Sequence, residues 1–375
     1  MLCWQGAQEC REAISIVQKI FEIPHLRFLG RFHQDAAREA GVLPLFWSGS
    51  GLELCFSGSE LHVVLDAGFA KWEPWVAVEV NGALLLRTPL NRGVNDLCVV
   101  RGLAPGTPKR IRLLRETQPM PEDSEGRLCI TELRWRDGDF LPLPAPACRL
   151  EFVGDSLTSG EGLYGAREEA DFASVWFSAV RGFPQQTADR LRAEYRLVSQ
   201  SGWGLRSDWR NDPRRTLPEV YTRVCGPAAL GARNPHDFSA WRPDAVLVNL
   251  GTNDAGAMEN PPWRGPKGET FQQHPDDQGL SLLEEAAVDF LKVLRRHNPG
   301  AKLVWAYGMI EDTLRPCLEG AVARFCRETG DKNAWYLPLP AVTPETMGAR
   351  LHPGPACHTA AAETAADFLG RILQI

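Results

Sequence analysis

A serine hydroxyl attacks an acyl carbon only when a base takes its proton, so a serine nucleophile needs an exposing turn and a partner histidine. The stretch from Arg149 to Gly162 offers the turn. It reads Arg-Leu-Glu-Phe-Val-Gly-Asp-Ser-Leu-Thr-Ser-Gly-Glu-Gly: a short apolar strand over 150–153, a glycine turn, then small polar residues. Gly154 permits the tight turn, and Gly160 and Gly162 keep the surroundings low, so Ser156 is the candidate nucleophile. A parallel sheet delivers such a side chain to the crevice at a strand's carboxyl end. Read alone, the same string is a strand-to-helix turn rich in small residues.

Two further stretches weigh against that plainer reading. Val246 to Asp254 is another apolar strand, ending in Gly-Thr-Asn-Asp. Asn253 there is able to donate a hydrogen bond to a developing oxyanion. Near the C-terminus, Leu351-His352-Pro353-Gly354 sets an imidazole on a loop before a closing helix. His352 is the candidate base, and His358, one turn into that helix, is its competitor. A histidine beside a helix start is more often a packing residue, and that reading is taken for His358. Asp254 is read as fixing its turn through local hydrogen bonds. Asp155 adjoins the nucleophile but points away from it.

The order Ser-turn, Asn-turn, His-loop resembles the SGNH (GDSL-type) hydrolases. That resemblance implies oxyanion donors at the Ser156 N–H, the Gly202 N–H and the Asn253 side chain, with Gly204 the alternative to Gly202. It also exposes a departure. The superfamily acid stands three residues before the histidine, and here that position is Ala349; the nearest preceding acid is Glu345. An acid there orients the ring and stabilises its cation. Either activity is weakened, or a Ser–His dyad operates in which a main-chain carbonyl orients the ring.

The elements that must position these residues fall into two grammars. Residues 1–25 read as an extension carrying an amphipathic helix, from the spacing of Ala13, Ile14, Val17, Ile20 and Phe21. From 26 to 145 the chain shows short alternating strands and no helical period. Leu52–Phe56 and Leu61–Leu65 around Ser57-Gly58-Ser59 read as a hairpin; Val76–Val80 and Ala83–Leu86 around Asn81-Gly82 read as a stronger one. Strands are also expected at 111–115 and 128–135, giving a jelly-roll-like β-sandwich that ends in a proline-rich linker at 141–146. From 146 to 375 strands and helices alternate, which predicts a doubly wound parallel sheet, an α/β/α layer domain. The segment 255–278 shows no period and reads as a long functional loop.

A sandwich of this size ahead of an SGNH-type domain resembles carbohydrate esterase family 2. Arg27-Phe-Leu-Gly-Arg-Phe, Trp47-Ser-Gly-Ser-Gly-Leu-Glu-Leu and Gly348-Ala-Arg-Leu-His-Pro-Gly carry that likeness beside the three blocks. It implies an acetyl ester of a plant-polysaccharide oligosaccharide, of xylan or mannan type, as substrate, and it fits the dyad variant. Trp203, in the glycine loop, and then Trp305 are the candidate sugar platforms. Trp305 and Tyr307 share one strand face, and Tyr307 is assigned to the core. A lipid or thioester hydrolase and a non-catalytic carbohydrate binder are the competing readings.

Composition removes other classes. A net charge of −6 without long basic runs argues against nucleic acid or an anionic membrane as main partner. The ten cysteines include no C-x-x-C pair, so neither a metal nor any other cofactor is expected. No basic-then-apolar leader opens the chain, and the cysteines read as reduced thiols, so a cytoplasmic location is expected. Homo-oligomerisation is not legible.

Overall fold

Side chains two residues apart turn to the same face of a strand, and in the N-terminal half these faces meet in one core. Leu52, Leu54 and Phe56, then Leu61, Val63 and Leu65, then Val76 and Val78, then Ile111 and Leu113 are all buried there. The structure, a computed structural model, describes residues 16–227 and 233–375. Two antiparallel sheets enclose this core. The first runs in the order Ile16–Lys19, Arg127–Trp135, Glu60–Gly68, Gly93–Arg101, with Leu43–Pro44 also on Arg127–Trp135. The second runs Phe140–Leu141, Gly51–Phe56, Lys109–Arg115, Trp75–Val80, Ala83–Pro89, with Arg27–Leu29 on Gly51–Phe56. The expected sandwich is present.

Two local expectations change. The segments 52–56 and 61–65 do not pair as a hairpin, because they lie in opposite sheets. Both bury alternate residues in the shared core, so Ser57-Gly58-Ser59 must cross between the sheets. A Cβ on Gly58 would stand 1.9 Å from the Asp137 carbonyl oxygen, and the Asp137 carboxylate accepts from Ser59 N. The Asn81-Gly82 hairpin does form, with φ of 52° and 83° at its two turn residues. The helix expected within 1–25 is not formed where the chain is described. Ile16–Lys19 is instead a strand whose ladder runs from Ile16 opposite Trp135 to Lys19 opposite Glu132. A single 3-10 turn, Ile20–Glu22, follows that strand, and Ile16 and Ile20 both pack on the sandwich core. Residues 1–15 of that reading lie outside the described residues.

The second half is a five-stranded parallel sheet ordered Glu194–Ser199, Arg149–Gly154, Ala245–Asn249, Lys302–Gly308, Ala334–Leu339. Val246, Val248 and Trp305 face helices Asp277–His297 and Arg315–Thr329; Leu247, Val304 and Ala306 face Phe183–Arg190 and Pro355–Leu373. This is the doubly wound layer structure. The chain leaves Arg149–Gly154 to one side and later returns to its other side at Ala245–Asn249. A crevice opens at the carboxyl ends where the strand order reverses, and Ser156 and Asn253 follow those two strands. The stretch 255–278 is more ordered than expected. It continues helix Thr252–Glu259 and then forms a small ladder of Trp263–Arg264 on Thr270–Phe271. It lacks a period because only Asp254 and Ala257 of that helix are buried, and Asn211 Nδ2 donates to the carbonyls of Ala257, Asn260 and Pro261 instead. Among the described residues no helix is long and apolar enough to cross a membrane.

The halves are joined by buried charge. Arg31, fully buried, donates to Glu151 Oε1 at 2.8 Å and to the carbonyls of Tyr221 and Arg223, and its guanidinium lies 4.6 Å over the Tyr221 ring. Tyr221 in turn donates to Glu151 Oε2 at 2.7 Å. Removing one member of such a pair strands the other charge. Arg31→Met is therefore expected to cost about 3–5 kcal/mol of unfolding free energy, read as a lower denaturant midpoint; an unchanged midpoint would mean that Glu151 finds water.

Candidate active site

The Ser156 hydroxyl and the His352 ring meet at 2.9 Å, Oγ to Nε2. The other ring nitrogen, Nδ1, lies 2.8 Å from the Arg350 carbonyl oxygen. A carbonyl only accepts, so Nδ1 carries the proton and Nε2 is left to accept from the serine. That is the tautomer a general base requires, and a main-chain oxygen sets it.

Local backbone explains why the carbonyl points that way. Arg350 and Leu351 both hold positive φ, 58° and 57°. Non-glycine residues take this region at a cost that surrounding bonds must offset. Ala349 N–H donates to the Gly162 carbonyl at 2.8 Å, and Arg350 N–H to the Glu169 carbonyl at 2.7 Å. Gly162 must lack a side chain here, since a Cβ would stand 2.4 Å from the Ala349 oxygen and 2.6 Å from His352 Cβ. The Arg350 side chain reaches back to Glu161 Oε1 at 2.6 Å and to the Ala170 carbonyl at 2.9 Å.

Ser156 begins the short helix Ser156–Ser159, capped by Asp155, whose Oδ1 accepts from Leu157 N at 3.0 Å. The first N–H of a helix has no partner within it, which leaves that of Ser156 available. Among the described residues no hydrogen bond uses the Gly202 N–H, whereas Gly204 N–H is committed to the Ser207 carbonyl at 2.9 Å. Asn253 lies in the first turn of its helix, its Nδ2 donating to Asp155 Oδ2 at 3.1 Å and to the Trp203 carbonyl at 3.0 Å. Burial pushes Asp155 up to about 7, with the negative charges of Asp254 and Glu161 adding to the rise. Asp155 thus anchors Asn253.

The remaining candidates separate by burial. His358 is fully buried, accepts from Phe183 N at 3.1 Å and is pushed down to about 3, first by burial and then by His352. It is a packing residue. Asp254 accepts from the N–H groups of Leu205 and Arg206, so it fixes the neighbouring loop rather than its own turn. Trp305 is no sugar platform: it is fully buried in the core, donating to the Leu250 carbonyl at 3.2 Å. Tyr307 is buried in the same core. Trp203 is 7% exposed and lines the cleft. Trp209 is 41% exposed, and its ring would stand 3.1 Å from a Cβ on Gly202. In the sequence Trp209 stands in a polar run, among Ser207, Asp208, Arg210, Asn211 and Asp212, a pattern that marks a large ring off the apolar periods of the core.

A cleft of about 400 Å³ runs between the two halves. The sandwich lends Lys71, Trp72 and Gln118; the α/β half lends Ser201, Trp209 and Arg350. Gln118 Oε1 accepts from Ser201 N at 2.7 Å, so the sandwich holds the glycine loop. Ser201 and Arg350 both donate to Glu161, whose Oε2 is 3.9 Å from His352 Nε2, so the cleft abuts the reactive pair.

Residues 152–360 match the model of the GDSL-like Lipase/Acylhydrolase family. The chain belongs to that family. A solved acetyl xylan esterase, Est2A from the rumen bacterium Butyrivibrio proteoclasticus, is 37% identical, with 96% of this chain and 98% of that one covered and a TM-score of 0.92. The whole two-part fold of this GDSL-family chain is also that of solved family two carbohydrate esterases. Cellulase/esterase CelE of Acetivibrio thermocellus is 27% identical over 326 residues, and an acetylxylan esterase / glucomannan deacetylase of Cellvibrio japonicus is 27% identical over 173. The matches cover 84% and 44% of this chain, which spans only 36% and 45% of the length of those curated relatives.

A carboxyl raised by burial opposes folding as it ionises: its contribution is lost as pH climbs from the unfolded value through the folded one. For Asp155 that window lies between about 4 and about 7. Asp155→Asn is expected to gain stability relative to wild type across this window while turnover falls, because two amide donors then face each other at Asn253. Denaturant midpoints at several pH values, beside initial rates, check both; a stability difference that does not change with pH would remove the buried-charge account.

Proposed function

We propose that this protein is a carbohydrate O-acetyl esterase, a serine carboxylic-ester hydrolase that removes acetyl groups from xylan- or mannan-type oligosaccharides. The observation that carries the reading is the Ser156–His352 contact, with Nδ1 fixed on the Arg350 carbonyl, in a chain like Est2A over nearly its full length. Ser156 Oγ attacks the acetyl carbon while Nε2 of His352 takes its proton. The tetrahedral oxyanion is met by the N–H groups of Ser156 and Gly202 and by Asn253, whose amide turns from the Trp203 carbonyl to reach it. Collapse breaks the bond to the sugar oxygen, and His352 returns the proton to that hydroxyl. Water, deprotonated by the same ring, then releases acetate from the serine.

The cleft between the halves is the sugar-binding surface in this reading, with Trp209 as the stacking platform in place of Trp305 and with Trp203 supporting it. The division between accessory sandwich, 26–145, and catalytic unit, 146–375, follows the same reading, with the strand Ile16–Lys19 assigned to the sandwich. No metal or other cofactor takes part in it. Acidic net charge disfavours nucleic acid and anionic membranes as partners, and the cysteine spacing alone supports the reading of a cytoplasmic setting.

Acetate release from acetylated xylo- and manno-oligosaccharides, set beside a medium-chain acyl ester, tests the class of substrate; a preference for the medium-chain ester would favour a lipid-type hydrolase. Ser156→Ala and His352→Ala should each lower kcat by about three orders of magnitude or more, and His358→Ala, if folded, should not. Trp209→Ala should raise KM for the oligosaccharide and leave KM for a small aryl acetate unchanged. Retention of a tenth of the wild-type rate by Ser156→Ala would refute the nucleophile.

A further inference from the structure

Moving the serine proton to Nε2 makes His352 a cation, and the Arg350 carbonyl at Nδ1 is neutral. A neutral acceptor orients a ring but gives its charge less than a carboxylate does. The charged and titratable groups around the ring are few. Ser156 faces it from the nucleophile helix, Glu161 from the turn that follows, and Arg350 from its own loop. Buried His358 lies on the closing helix, and Asp155 stands one residue before the nucleophile.

Glu161 is 1% exposed, an environment that a carboxylate tolerates only when its oxygens are satisfied. Arg350 Nε donates to Oε1 at 2.6 Å and Ser201 Oγ donates to Oε2. Its position is fixed by main chain as well: Glu161 N–H donates to the Ser156 carbonyl at 3.0 Å, and Gly160, at φ 75°, turns the chain into it. Oε2 is the oxygen nearer the ring, 3.9 Å from Nε2, while Arg350 occupies the other oxygen.

We propose that Glu161 is a positioning residue for the reaction: through His352 it stabilises the imidazolium from the Nε2 side, supplying the charge that Ala349 does not supply from the Nδ1 side. The work of the usual third group is then divided. The Arg350 carbonyl fixes tautomer and direction, and the Glu161 carboxylate holds the developing charge. Arg350 belongs to both halves of this arrangement, its main chain orienting the ring and its guanidinium tempering the carboxylate. The inference rests on the Ser156–His352 reading above.

Two substitutions should act in opposite directions, which a merely loosened site would not do. Glu161→Gln keeps the shape and removes the charge. An imidazolium that loses an anion about 4 Å away releases its proton more readily, so the acidic limb of kcat/KM should move down by about one pH unit. Its kcat should fall about tenfold with little change in KM. Arg350→Met removes the opposing cation while the Arg350 N–H bond to the Glu169 carbonyl still holds the main chain, so the limb should move up. The same shifts should appear in the His352 ring titration followed by 13C-labelled histidine NMR in a Ser156→Ala background, which needs no activity. A limb and a ring titration unmoved in Glu161→Gln, or moved the same way by both substitutions, would overturn the role of Glu161. Full activity in His352→Ala would instead overturn the reading beneath it.

Discussion

The bond from His352 Nδ1–H to the Arg350 carbonyl, 2.8 Å long, is the constraint on which the site depends. It requires a carbonyl aimed back at the ring two residues later, and two consecutive left-handed residues provide that aim. Such backbone persists only when it is over-determined. Here Gly162, Glu169 and Glu161 each bind the loop, two through main-chain carbonyls and one through its carboxylate. The turn that presents Ser156 is therefore the turn that shapes the His352 loop. Gly162 serves this directly, because the His loop packs where its side chain would be, while at Gly160 the Ser178 main chain takes that place.

The sandwich takes part in the same arrangement. Gln118 binds the Ser201 N–H, and Ser201 in turn binds Glu161, so a hydrogen-bond chain runs from the accessory half to the carboxylate beside the reactive ring. Arg87 donates to the carbonyls of Val175 and Phe177, and Glu116, fully buried, pairs with Arg87 and accepts from Val180 N. Polar contacts of this kind fix one relative placement of the halves, since a shift leaves buried charge unpaired. An apolar interface alone would allow sliding. A cleft built from both halves needs the fixed placement.

Strand and helix types were legible because period two and period 3.6 survive wherever one face is buried. The alternation of strands and helices after residue 146 and the Asn81-Gly82 hairpin match expectation for that reason. Period cannot tell which sheet a strand joins, so Leu52–Phe56 and Leu61–Leu65 read as partners when they are facing layers. Trp305 failed as a platform through the same blindness: alternation gives a face, and both faces of a central parallel strand are covered. Trp209 carried a usable signal, a large ring in a polar run. Glu161 did not, because a Gly-Glu-Gly turn reads as solvent-facing until the His loop is folded onto it.

The missing acid at position 349 is consistent with this packing rather than a gap in it. Ala349 is fully buried, and a Cβ on the facing Gly165 would stand 2.4 Å from its own Cβ. A carboxylate there would have to be desolvated in a space already filled, with Nδ1 already satisfied by Arg350. Burying a charge without a donor costs more than a neutral hydrogen bond returns. Glu161, by contrast, brings its donors with it. The negative charge is tolerated at the Nε2 side because Arg350 and Ser201 meet it there, and the same Arg350 turns its carbonyl to the other side of the ring.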